Sequence, residues 1–171
     1  MKLPTHIEKA KCYDADNNMQ YVGMASITLP SIEKKKATIE GMGVMGTIEN
    51  PTRRALESMT LSSTFRGLTD NNMELLNGVK SLDYRAALNV YDTALKVNRT
   101  VQIRVAVTGP VSTYDLGEAE VSNAMSVQAD IEVYNLKVWL DKKPKIEFDK
   151  WNEIYRINGI DVASDVDEAV D

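Results

Sequence analysis

Residues 125–140 read MSVQADIEVYNLKVWL, and this stretch decides the fold class. In its first half every second residue is apolar: Met125, Val127, Ala129, Ile131 and Val133. A period of two places these side chains on one face of a β-strand. After Tyr134 the apolar residues are Leu136, Val138 and Leu140, so the phase slips by one, as a bulge or a sharp bend would cause. The stretch predicts a bent, half-buried strand whose apolar face other strands must cover.

The length and composition indicate a single globular domain, residues 1–171. A chain of 171 residues can bury a substantial core. Apolar residues make up 43% and charged residues 26%, which argues against disorder. No apolar run reaches the length of a membrane-spanning helix, and the N-terminus carries no apolar signal segment. We therefore expect that the protein is made in the cytoplasm and does not insert into a membrane.

The composition offers little chemistry. One Cys and one His exclude an internal disulfide and a typical structural zinc site. A net charge of −5 lacks the basic surplus with which nucleic-acid binders neutralise phosphates. The Ser residues lie in strand patterns without a nucleophile elbow, and no predicted helix carries spaced carboxylates. We expect no catalytic residue, no metal and no cofactor.

Alternating segments separated by turns continue along the rest of the chain. Segments 6–13 and 19–29 flank the turn formers of 14–18, and 56–65 is a further strand. A capping pattern of Asn71 and Glu74 and the terminal Gly78 predict a short helix over 70–78. Segments 82–91 and 101–108 alternate strongly and should pair as a hairpin. Residues 146–148 and 154–157 suggest a return strand, and 160–171 is an acidic segment with helical potential. Together they predict a mainly β fold: an antiparallel β-sandwich or barrel with one short flanking helix and extended hairpins.

Residues 33–46 predict an exposed, mobile arm between subunits. Three consecutive lysines either protect an edge strand from unwanted pairing or dock onto acids of a partner subunit. Residues 41–46, GMGVMG, match the dinucleotide fingerprint, but a charged lead-in and Pro51 contradict the strand and helix that the fingerprint needs. The glycines are more typical of a flexible loop. The residues we expect at the subunit interface are Lys34, Lys35, Lys36, Ile39, Gly41, Met42, Gly43 and Met45.

Motifs along nearly the whole chain resemble the major tail tube proteins of contractile-tailed phages, in the same order. They are Leu3-Pro4, the segment 27–32 (ITLPSI) with lysines after it, the Gly/Met-rich 41–46, LGEA at 116–119, YNLKV at 134–138, IEFD at 146–149 and INGID at 157–161. The chain departs from the family pattern at Asn135, where a second Tyr is usual, in the longer, more basic tip 141–145, and in the drawn-out Gly/Met loop.

The resemblance implies a β-sandwich subunit that forms hexameric rings, which stack into a hollow tube inside a contractile sheath. Two hairpins per subunit would join those of neighbours into a closed barrel, through which DNA passes without specific binding. The implied partners are further copies of the chain and the tail sheath, tape measure and baseplate proteins. The implied location is the virion tail, assembled in the bacterial cytoplasm. Six subunits would carry a formal charge of 6 × −5 = −30, which is compatible with a bore that repels DNA.

Two strand faces compete for the bore. The first is the polar face of the hairpin 82–108, whose residues we expect to face the lumen: Asp83, Arg85, Asn89, Gln102 and Arg104. The second is the more acidic polar face of the central strand: Ser126, Gln128, Asp130 and Glu132. A water-filled channel needs a polar lining, which both provide.

Other functions remain open on the sequence alone. A headless tailocin or another contractile secretion system would use the same subunit. A monomeric β-barrel with a ligand cavity would differ in particle size, and an oxidoreductase using the glycine loop would copurify with a nucleotide.

Overall fold

The computed structural model describes residues 1–23, 25–162 and 164–169. Its strands, in chain order, are β1 (Lys2–Asp14), β2 (Gln20–Gly23), β3 (Ala25–Thr28), β4 (Lys34–Ile39), β5 (Ile48–Leu56), β6 (Thr60–Arg66), β7 (Val79–Asp92), β8 (Val97–Asp115), β9 (Ser126–Glu132), β10 (Asn135–Leu140), β11 (Lys143–Asp149), β12 (Ile154–Ile157) and β13 (Ile160–Asp161). The helices are α1 (Asp70–Met73), which a 3₁₀ turn (Glu74–Leu76) continues, and α2 (Ser164–Glu168). All strand pairs are antiparallel, so the predicted mainly β, antiparallel fold class is confirmed. Predicted segments 19–29 and 160–171 include residues 24, 163, 170 and 171, which lie outside the described residues.

Sheet A runs in the order β13-β12-β11-β10-β8-β7-β1-β2. Its centre is the hairpin of β7 and β8, which pairs continuously from Val79↔Pro110 to Asp92↔Val97. The hairpin predicted for 82–91 and 101–108 is therefore confirmed. Its tip, residues 93–96, is shorter than the polar stretch 92–100 between the two predicted strands. Alternation succeeded here because one face of the hairpin is buried and the other is polar.

Sheet B consists of β3, β6, β9 and residues 111–115 at the end of β8. Strand β8 thus belongs to both sheets, and Gly109 lies where it passes from one to the other. A Cβ atom on Gly109 would lie 1.8 Å from the carbonyl oxygen of Glu132, so the close approach of β8 and β9 requires glycine at this position. Buried side chains of both sheets, such as Phe65 and Ile131 of sheet B and Val105 of sheet A, form one hydrophobic cluster, so the two sheets pack face to face as a sandwich.

The phase slip after Tyr134 marks a change of sheet. The predicted apolar face of the central strand is buried, since Val127, Ala129, Ile131 and Val133 are at most 1% exposed. The single bent strand that we predicted is nevertheless two strands, because β9 lies in sheet B and β10 lies in sheet A. The Tyr134 N–H donates to the Thr108 carbonyl at 2.9 Å and holds the crossing point against β8.

One buried polar contact joins the two sheets through the core. The Tyr84 hydroxyl of β7 lies 2.5 Å from the Ser63 hydroxyl of β6, and both residues are at most 3% exposed. Burial raises the pKa of Tyr84 well above its usual value and that of the neighbouring Cys12 thiol to about 12. Both groups are therefore neutral over the physiological range.

Two local predictions need correction. The predicted return strand over 146–148 and 154–157 is two strands, β11 and β12, which pair with each other. The start of the short helix also differs from the prediction. The capping residue of α1 is Thr69, whose hydroxyl accepts from the Asn72 N–H, while the Asn72 side chain accepts from the Thr69 N–H. The pattern we assigned to Asn71 and Glu74 therefore began two residues too late, and the helix has one α-turn followed by a 3₁₀ turn. Among the described residues no helix is long and apolar enough to cross a membrane.

Candidate assembly surfaces

The arm, defined here as residues 34–56, is a separate two-stranded sheet of β4 and β5. It pairs from Lys34↔Leu56 to Ile39↔Ile48, and Lys36 forms an ion pair with Glu49 at 3.0 Å. The predicted arm at 33–46 is thus only the first half of a hairpin, because residues 48–56 form its second strand. Sequence patterning missed β5, because Leu56 at its end is the side chain that packs against the core and no apolar alternation results along the strand.

The tip of the arm exposes two methionines completely. Met42 and Met45 have a relative exposure of 107% each, and Ile39 and Ile48 beside them are about half exposed. Of the other residues predicted at the subunit interface, Lys35, Lys36, Gly41 and Gly43 are exposed and Lys34 is half-buried. Apolar groups projecting on a thin hairpin gain burial only from another chain, and Met adapts readily to irregular surfaces.

The base of the arm is attached to the sandwich by polar contacts. Arg53 forms an ion pair with Asp165 of α2, and the Arg54 side chain donates to the Glu153 carbonyl, with Nε at 3.0 Å. Lys34 lies over the ring of Tyr155 at 5.9 Å. The acidic C-terminal segment therefore contacts the arm and contributes to its direction.

The outer face of sheet B is acidic and rich in hydroxyl groups; we call it the acidic face. Its members face one another in the strand register and carry three carboxylates and one guanidinium group: Ser26, Thr28, Thr60, Ser62, Thr64, Arg66, Thr113, Asp115, Ser126, Gln128, Asp130 and Glu132. The Asp130 carboxylate accepts from Ser62 at 2.6 Å and from Gln128 at 3.0 Å. Glu132 accepts from Ser58 at 2.9 Å and lies 3.6 Å from Lys150.

Both edges of sheet B lack a strand partner within the described residues. On one edge β3 pairs only with β6, and on the other residues 111–115 pair only with β9. The two edge segments are four and five residues long, so they match in length. Unpaired edges present backbone N–H and C=O groups that can pair with another chain.

The outer face of sheet A carries cationic side chains, among them Lys9, Lys11, Arg85 and Arg104, and we call it the basic face. Its centre is Asp83, only 1% exposed, which accepts hydrogen bonds from Arg85 at 2.9 Å and from Arg104 at 3.0 Å. Arg85 lies over the ring of Tyr13 at 5.2 Å, and Arg104 lies over the ring of Trp139 at 4.6 Å. All five residues that we predicted to face the lumen share this face: Asp83, Arg85, Asn89, Gln102 and Arg104.

Other members of the basic face were missed from the sequence. Lys9, Lys11 and Tyr13 of β1 lie beside Ala87, Arg85 and Asp83 of β7. Their alternation with Ala10 and Cys12 was the available signal. Trp139 lies beside Arg104 across the β8–β10 pair, which no local pattern predicts.

The described residues do not include three or more His, Cys, Asp or Glu side chains placed to hold a metal ion. The features that stand out are surfaces: an apolar-tipped arm, an acidic face with two open edges, and a basic face.

Comparison with known proteins agrees with an assembly role. The family model of the phage tail tube protein FII matches residues 4–170. The tail tube protein of Escherichia phage P2 is 24% identical over 151 residues, which cover 85% of this chain and 86% of the relative. A match over nearly the entire length confirms the resemblance found from the sequence motifs. The chain belongs to the phage tail tube protein FII family and is a structural subunit of a phage tail tube.

Proposed function

We propose that the protein forms hexameric rings that stack into the inner tube of a contractile tail, and that the bore of this tube conducts the genome. The observation that carries this proposal is the architecture of sheet B, whose four antiparallel strands leave both edges open within the described residues. Pairing β3 of one copy with residues 111–115 of the next closes sheet B into a ring and removes both of its open edges.

The size of such a ring fits a conduit. Six copies contributing four strands each give 24 strands, and at about 4.8 Å per strand and a tilt of about 40° the backbone diameter is about 48 Å. Side chains on the inner face reduce this to roughly 38 Å, which leaves room for duplex DNA. Sheet A is less suited to closure, since one of its outer strands, β13, has only two residues.

The acidic face fits the bore better than the basic face. DNA must pass without adsorbing. On the acidic face the carboxylates of Asp115, Asp130 and Glu132 outnumber the single guanidinium group of Arg66 and repel phosphates, whereas Arg85 and Arg104 of the basic face attract them. The alternative is our sequence-based prediction that the polar face of the β7–β8 hairpin lines the lumen. Both candidate faces follow from the same alternation of polar and apolar residues, so alternation alone does not choose between them. The residues of that prediction are Asp83, Arg85, Asn89, Gln102 and Arg104.

Thiol labelling of assembled, end-capped tubes tests which face lines the bore. On a Cys12→Ala background, we expect Gln128→Cys to resist a maleimide too bulky for the capped lumen and Gln102→Cys to react. Both thiols should react in the free subunit, which controls for local burial. Protection of position 102 with reaction at position 128 would assign the bore to the hairpin face instead.

The arm is the proposed contact between subunits, with Met42 and Met45 inserting into a neighbouring copy. We expect Met42→Ser/Met45→Ser to leave the subunit folded, since both side chains are fully exposed, but to raise the concentration needed for polymerisation by about tenfold or more. Leu95→Ser, at the exposed tip between β7 and β8, is the matched control. Equal polymerisation of the double variant and the control would remove the arm tip from the interface.

In this assembly the tail sheath surrounds the tube, the tape measure protein occupies it and the baseplate terminates it. Assembly takes place in the bacterial host cytoplasm. A tailocin uses the subunit in the same way without a genome to conduct.

A further inference from the structure

The basic face contains two adjoining surface depressions lined by cations. Lys9, Lys11 and Arg85 contribute to the first, and Arg85, Arg104 and Lys142 to the second, with Gln102 shared between them. The linings therefore carry five cationic side chains, and Asp83 beneath them supplies one negative charge. A net positive surface of this kind stands out in a chain whose total charge is −5.

The cations at the centre of the face are held in place before any partner binds. Two guanidinium groups share the buried Asp83 carboxylate, and each also lies over an aromatic ring. Lys11 lies over the ring of Tyr21 at 5.6 Å. Ring contacts and a fixed carboxylate limit the side-chain freedom that binding would otherwise remove. Both arginine side chains remain 41% exposed, so their outer N–H groups are free to donate outward.

This inference rests on the proposed function, which determines which molecules can contact the basic face. In a sandwich the outer faces of the two sheets point in opposite directions, so a tube with the acidic face towards the bore presents the basic face on its outside. DNA inside the bore cannot reach it. The ligand is therefore part of a protein that surrounds the tube, and its chemistry must complement several cations above an aromatic floor.

We propose that the basic face is the docking site for an acidic, carboxylate-bearing segment of the protein that surrounds the tube. Arg85 and Arg104 already bind one carboxylate in Asp83, and this geometry suits additional Asp or Glu side chains. Lys9, Lys11 and Lys142 extend the cationic surface on both sides of the arginines. Salt weakens such docking, and an encircling protein that must later slide needs reversible contacts.

The test measures binding of a poly-L-glutamate peptide of about 20 residues to assembled tubes, with a DNA duplex of equal charge as the competing ligand. Reversing the charge of Lys9 and Lys11 (Lys9→Glu/Lys11→Glu) should weaken peptide binding by about 10- to 30-fold, as expected for two exposed cations. The matched control is Lys2→Glu/Lys96→Glu, which makes the same charge change at the far end of the β1–β7–β8 sheet. It should weaken binding less than about threefold.

The following results separate the possibilities. Unchanged peptide binding by the Lys9/Lys11 variant would overturn the proposal, and so would tighter Lys9/Lys11-dependent binding of the DNA duplex. Dimerisation of the free subunit that the double variant abolishes would identify a second copy as the occupant, and this also overturns it. We expect the variant to form normal tubes by electron microscopy. A folded variant that forms none would contradict the outside location, whereas a wild-type protein that never forms tubes would refute the proposed function separately.

Discussion

Replacing Gly109 with alanine should weaken the junction between the two sheets. The new Cβ atom would lie 1.8 Å from the carbonyl oxygen and 2.9 Å from the carbonyl carbon of Glu132. Because an ordinary carbon–oxygen contact needs about 3.3 Å, β8 and β9 must separate by roughly 1.5 Å. The obstacle is backbone on both sides, so no side-chain rotation can relieve it.

The energetic cost follows from this separation. The neighbouring hydrogen bond from Tyr134 N–H to the Thr108 carbonyl, now 2.9 Å, would lengthen beyond a useful distance. Overpacking costs about 1–3 kcal/mol and a lost hydrogen bond about 0.5–1.5 kcal/mol, so the free energy of unfolding should fall by about 2–4 kcal/mol. That is a large fraction of the roughly 5–15 kcal/mol of a typical domain.

Urea unfolding of the free subunit measures the change. Gly67→Ala is the control: its φ of +76° also disfavours alanine, but nothing lies within 4 Å of the added Cβ, so only about 1 kcal/mol of backbone strain is expected. A loss for Gly109→Ala no greater than that for Gly67→Ala would show that β8 and β9 need no close approach at this point.

Further predictions concern the core and the arm. Tyr84→Phe and Ser63→Ala should each lower the free energy of unfolding by about 1–3 kcal/mol, because each change leaves the other hydroxyl buried without a hydrogen bond. The double variant should lose less than the sum of the two. Additive losses would show that the two hydroxyls do not interact. Burial raises the pKa of the Cys12 thiol from 9.0 to about 12, so the free energy of unfolding should decrease as the pH rises from 9 to 12. Cys12→Ala should make this decrease shallower by up to about 1.4 kcal/mol per pH unit. Equal slopes for the wild type and the variant would contradict the raised pKa. Amide exchange over 34–46 should be fast in the free subunit and slow in tubes, and equal protection would argue against an interface role.

The sequence predicted those elements whose two faces differ. Hairpin β7–β8 and strand β9 alternate because the core covers one side of each. Strand β5 was not predictable in this way, because its apolar residues, Ile48, Pro51, Ala55 and Leu56, fall on both faces without alternation and the strand is held by pairing with β4. Pairing of this kind leaves no periodic signal in the sequence.

The candidate site was predictable only in part. Alternation located the side chains opposite the core, including Asp83, Arg85 and Arg104, but it could not show that Asp83 is buried beneath the two arginines. Nor could it show that Lys9 and Trp139 join the same face, since both are brought there by partners distant in sequence. The phase slip at Tyr134 was visible, whereas the change of sheet that causes it depends on the whole topology.

The most direct test of the central claim is negative-stain electron microscopy of the concentrated, purified protein. We predict hollow tubes built from stacked rings with sixfold symmetry and a backbone diameter of the innermost barrel of about 48 Å. A protein that remains monomeric at every concentration, with neither rings nor tubes, would contradict the proposed assembly.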